Sequence, residues 1–159
     1  MRKHAYIALA FLFLAWLEMS VLPFLAPRGA LPRLTSLFAI GVALRLGPLA
    51  GALWGFAVGL LLSLASGEPF GLASLGLTGA AWAAGEISSR FPVGFALARM
   101  ALALAALALE SALAYGAAWI VFGYELEIGG LSMATGALLA PAALAVSDWL
   151  IAKGETAEA

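Results

Sequence analysis

Apolar residues run through this chain in long stretches, broken only by short clusters of glycine, proline, serine and charge. The first stretch, from about 5 to 25, follows the charged tip Met1-Arg2-Lys3-His4. At about 1.5 Å per residue it covers roughly the 30 Å of a bilayer's hydrocarbon core. No A-x-A-type cleavage site follows it, so the stretch is read as a retained helix and not as a signal peptide. A second helix is predicted over 31–46, with Pro32 in its first turn and a stop at Arg45-Leu-Gly-Pro48, where proline disfavours helical geometry in the residue before it. That helix is short for a crossing. Further helices are predicted over 48–65, ending at Ser66-Gly-Glu-Pro-Phe-Gly71, over 71–87, ending at Ser88-Ser89-Arg90-Phe91-Pro92, and over 93–122, ending in the aromatic residues Trp119, Phe122 and Tyr124. A sixth is predicted over 131–151, kinked at Pro141, with a polar tail. The loops leave no room for a separate soluble domain.

Composition turns this pattern into a fold class. Hydrophobic residues make up 64% of the 159 and charged ones 11%, against about a quarter charged in an ordinary soluble domain. The excess apolar surface must meet lipid, which predicts an all-α integral membrane protein, a bundle of six transmembrane helices in one polytopic domain. The eight Lys+Arg are nearly balanced by nine Asp+Glu, which argues against a nucleic-acid surface. Six crossings with both termini cytoplasmic put Arg2, Lys3, Arg45, Arg90, Arg99 and Lys153 inside and only Arg28 and Arg33 outside, as the positive-inside rule requires. A re-entrant second segment would instead place the C-terminus outside.

The residue inventory also limits chemistry. With no cysteine, and with His4 as the single histidine, there is no thiolate, no cysteine-based metal site and no histidine to serve a catalytic triad. No protease motif is present, so neither catalysis, cofactor nor metal is expected. Asn and Gln are missing as well, as in chains depleted of thermolabile residues.

Two features remain as candidates. Gly47, Gly51, Gly55 and Gly59 recur every four residues, which on a helix makes a nearly straight groove for close backbone approach, by a neighbouring helix of this chain or by a partner's. Glu18, Arg99, Glu110 and Asp148 are ionisable residues inside apolar stretches, where an uncompensated charge is costly. Glu18 and Glu110 are placed in the outer half, either bonded to Ser or Thr of neighbouring helices or serving a cation, a proton or a partner. Arg99 and Asp148 lie at matched depth and are expected to pair, unless Arg99 snorkels to the headgroups. Arg99 and Glu110 share a helix face but stand about 16 Å apart along the axis, too far for direct contact.

The stretch Leu44 to Leu72 resembles the rod shape-determining protein MreD family, whose G-P-L-x-G-x-x-x-G-F-x-x-G-L-L helix is followed by an S-G-x-P-x-G turn. Gly47, Pro48, Leu49, Gly51, Gly55, Phe56, Gly59, Leu60 and Leu61 fit the helix, and Ser66, Gly67, Pro69 and Gly71 fit the turn. The family commonly carries an aspartate a few residues before that turn, where this chain has Ser63. The resemblance implies a non-enzymatic subunit of the bacterial elongation machinery in the cytoplasmic membrane. It would bind the single-span protein MreC and act with MreB, RodA and the penicillin-binding protein synthase in cell-shape control and sidewall peptidoglycan synthesis; association with further copies of the chain is left open. In layout the family also resembles the small-molecule-binding S components of energy-coupling factor transporters, the alternative expectation.

Overall fold

The computed structural model describes residues 2–21, 33–66, 71–91, 95–123 and 130–156. These form six helices: α1 (Arg2–Ser20), α2 (Leu34–Leu46), α3 (Pro48–Ser66), α4 (Leu72–Arg90), α5 (Ala96–Phe122) and α6 (Gly130–Thr156). Over Ala96–Val121 and Thr135–Lys153, α5 and α6 are long and apolar enough to cross a membrane, while His4–Ser20, Leu34–Leu46 and Pro48–Leu64 are shorter apolar helices.

Several boundaries differ from expectation. The first helix ends at Ser20, and the predicted continuation to 25 lies mostly outside the described residues. The second begins only at Leu34. The expected break at Ser88-Ser89-Arg90 is instead the last turn of α4, because Arg90 pairs with Glu86 one turn back at 2.6 Å and Ser88 donates to the Leu44 carbonyl at 3.0 Å. The fifth helix starts at Ala96, and the sixth continues to Thr156 with Pro141 inside it.

The shortest helix occupies the centre. From Thr35 to Leu44 every residue of α2 is buried, and α3, α4, α5, α6 and α1 surround it in that order, each touching its neighbours and α2. One side of α2, Leu37, Ile40 and Leu44, packs with Ala80, Ala84, Ala103, Leu107, Ala140 and Leu144 from α4, α5 and α6. The other, Phe38, Ala39 and Val42, packs with Ile7, Phe11, Val58, Leu77 and Ile151. Phe11 bridges α1 to the centre, edge-on to Phe38 at 4.8 Å and stacked on Trp54 at 5.3 Å, and His4 stacks over the same indole at 6.3 Å. A helix hydrophobic all round is explained by this position.

Candidate functional site: the two ends of a buried helix

Thirteen residues of α2 span about 20 Å, well short of a hydrocarbon core. Its unpaired terminal N–H and C=O groups therefore need partners from the protein. The candidate ionisable residues supply them.

At the N-terminal end, Glu18 of α1 accepts from the Thr35 backbone N–H at 3.0 Å and from Thr35 Oγ1 at 2.5 Å. Glu110 of α5 accepts from Ser36 Oγ at 2.9 Å and from Arg33 Nη1 at 3.3 Å. Carboxylates belong at this end, where the aligned peptide dipoles leave positive charge. Glu110 is 2% exposed, and its second oxygen has no hydrogen-bond partner among the described residues. The Arg33 side chain, 40% exposed, reaches in from the rim. Gly76 fixes the depth of this turn of α5, because a Cβ there would stand 2.8 Å from the Glu110 carbonyl oxygen.

At the C-terminal end the signs reverse. Arg99 of α5 forks onto Asp148 of α6 through Nη1 and Nη2 at 2.6 and 2.9 Å. Arg45, in the last turn of α2, stands with Nε 3.6 Å from Asp148 Oδ1. Ser88 of α4 satisfies the Leu44 carbonyl, and the Gly47 N–H satisfies that of Ala43 at 2.9 Å. The sequence alone singled out Glu18, Glu110, Arg99 and Asp148, with Arg45 near a helix end, and expected Ser or Thr partners for the two glutamates, but it did not identify Thr35, Ser36 and Arg33 as the groups that meet them. The signal was Arg33-Leu-Thr-Ser36, polar residues clustered where an apolar segment begins.

Of the four spaced glycines, three line the α3–α4 contact. A Cβ on Gly51 would stand 2.9 Å from the Ala81 carbonyl oxygen, one on Gly55 2.9 Å from that of Leu77, and one on Gly59 2.9 Å from that of Ala73. Each step of four along α3 meets a step of four back along α4, the register of antiparallel helices in backbone contact. From α4, Gly85 continues the contact against Pro48, at 2.8 Å from its Cα. Gly47 is a correction. It lies outside both helices with φ 88°, a backbone that disfavours side chains, and caps α2 before Pro48 opens α3. Gly71 likewise has φ 95° and enters α4; Gly67 and Pro69 lie outside the described residues. Ser63 is buried in α3, and its Oγ has no hydrogen-bond partner among the described residues. Among the described residues no group of three or more His, Cys, Asp or Glu side chains could hold a metal ion.

The model of the family described as rod shape-determining protein MreD matches residues 2–151. No curated protein and no solved structure matches the chain.

Proposed function

The chain belongs to the rod shape-determining protein MreD family, and from that premise we propose that it is a six-span, non-enzymatic scaffold of the bacterial elongation assembly. In this reading it sits in the cytoplasmic membrane with both termini inside, binds MreC, and through it acts with MreB, RodA and a penicillin-binding protein synthase on sidewall peptidoglycan. The observation that carries the reading is the family match along nearly the whole chain. The packing supports a scaffold over the S-component-type carrier, since α2 fills the bundle axis with ten consecutive buried residues where a carrier would need a solute chamber. The close α3–α4 contact supplies rigidity without a hydrophobic driving force between helices.

Co-expression of the tagged chain with MreC tests the partner. Retention of MreC through detergent purification, and loss of rod shape when the chain is depleted, are the expected results; failure of both overturns the reading. Reporters after residues 3 and 153 should read cytoplasmic and one at 125–127 external, whereas an external C-terminus would remove the second crossing. Gly55→Leu distinguishes scaffold packing from partner docking. Backbone atoms of Leu77 and Thr78 occupy the space its side chain would need, so the chain itself should lose stability by a few kcal/mol and MreC retention should fail only as a consequence.

A further inference from the structure

Three guanidinium-bearing residues approach the ends of α2, and their partners differ. Arg33 has Glu110, and Arg99 has both oxygens of Asp148. Arg45 has only an ion contact, at 3.6 Å, with a carboxylate oxygen that Arg99 already occupies. Its fork of N–H donors thus makes no hydrogen bond to the described residues. Two carbonyls at the end of its own helix, those of Leu44 and Ala43, are taken by Ser88 and by the Gly47 N–H. Asp148 carries one negative charge between two guanidinium groups, so the cluster has an excess positive charge. The Arg45 side chain is 38% exposed and that of Arg99 23%, which leaves the excess facing outward at one end of a membrane bundle. Arginine forks match the paired oxygens of phosphate.

We propose that the open guanidinium of Arg45, beside the Arg99–Asp148 pair, binds the phosphodiester of an anionic phospholipid at the C-terminal end of α2. The ligand chemistry is a phosphate oxygen pair at the edge of the hydrocarbon, and the lipid is favoured as its source because the surrounding apolar faces seat the acyl chains. On α6, Val146 and Trp149, on either side of Asp148 in sequence, are 45% and 60% exposed, and the Lys153 ammonium lies 4.8 Å over the Trp149 ring. Arg99 and Asp148 act as positioning residues, fixing the wall against which the headgroup rests. This inference is independent of MreC and needs only that the chain lies in a bilayer.

The test is native mass spectrometry of the full chain, released from micelles containing equal amounts of phosphatidylglycerol and phosphatidylcholine. Wild type should retain phosphatidylglycerol in preference. Arg45→Gln should lower that retention roughly tenfold, the scale of losing one charge-assisted hydrogen bond to the phosphate. Arg90→Gln, which removes an exposed cation paired with Glu86 at the same end of the bundle, should leave it unchanged. Thermal melting in detergent checks folding, and Arg45→Met, which keeps the apolar stem, replaces Arg45→Gln should the latter unfold. Undiminished phosphatidylglycerol on the Arg45 variant overturns the proposal. So does an equal loss from the Arg45 and Arg90 variants, which is diffuse attraction and not a site. Arg45-dependent binding of millimolar inorganic phosphate that displaces the lipid would assign the cluster to a free anion and overturn the lipid.

Discussion

The two ends of α2 solve the same problem with opposite charges and different degrees of enclosure. At the start of the helix, two carboxylates from α1 and α5 face one arginine, and Glu110 is sealed from solvent and lipid alike. At its finish, two arginines face one carboxylate, and all three side chains are between 23% and 38% exposed. Each excess has the sign that the peptide dipoles of α2 favour. A helix shorter than a hydrocarbon core is thick can therefore sit at the axis of the bundle, provided that the surrounding helices bring charge and hydroxyl groups to its ends. The difference between the ends lies in what is left when one partner is removed. A stranded Glu110 has nowhere to turn, whereas Arg33 and the groups at the open end are partly exposed and can reach the surface.

Arg33→Ala is the sharpest way to break this contrast and should have the largest effect. It leaves the buried Glu110 carboxylate without its cation, a loss of about 3 kcal/mol, the low end for breaking a buried pair because Arg33 itself is partly exposed. Glu110→Gln removes the same ion pair from the other side. Its amide oxygen still accepts from Ser36, and the released Arg33 extends to the rim, so the cost should be about 1 kcal/mol. Unfolding in bicelles measures both. Equal losses would mean that the end is not sealed.

How much of this was legible in the sequence follows from what each feature depends on. Helix positions were readable because lipid demands long apolar stretches and glycine–proline breaks interrupt them; Gly47-Pro48 marks the α2–α3 junction as expected. The spacing of Gly51, Gly55 and Gly59 announced a close contact, but spacing is a property of one helix and could not say that α4 fills it. Spacing also put Gly47 in step with the others, although the expected helix bounds, 31–46 and 48–65, already left it between the two helices, where the structure has it. The ionisable residues stood out against apolar neighbours, whereas Thr35 and Ser36 did not, since hydroxyls are cheap anywhere on a helix, and Ser88 was read as part of a helix-ending break although it lies in the last turn of α4. The central place of α2 was hidden for a related reason: a short apolar helix reads alike whether lipid or protein surrounds it. Its even burial emerges only when five other helices are assembled.

A double-mutant cycle at the open end sharpens the comparison at intermediate size. Arg99→Ala and Asp148→Ala should each destabilise, and together by less than their sum, with a coupling of about 1–2 kcal/mol for a bidentate, partly exposed pair. The Arg45–Asp148 coupling should be smaller, below about 0.5 kcal/mol, because the contact is longer and more exposed. Its measurement in the Arg99→Ala background should show it growing, as Asp148 becomes free to accept the Arg45 fork. Unchanged coupling there would mean that the two arginines do not compete for the carboxylate.

The smallest effects should come from the hydroxyls, one at each end. Thr35→Val keeps shape and removes one of the two donors to Glu18, leaving the backbone N–H in place. Ser88→Ala removes the donor to the Leu44 carbonyl. Side-chain hydrogen bonds between membrane helices average about 0.6 kcal/mol, with a maximum near 1.7. The Thr35 bond is charge-assisted and should lie near 1 kcal/mol; the Ser88 bond is between neutral groups and should lie near 0.5 kcal/mol. The ratio matters more than either value, since both variants delete one hydroxyl beside the same helix. Should Ser88→Ala prove the costlier of the two, charge at the N-terminal end would contribute less than carbonyl capping at the other. The dipole-matched account of why carboxylates gather at one end of α2 and arginines at the other would then fail.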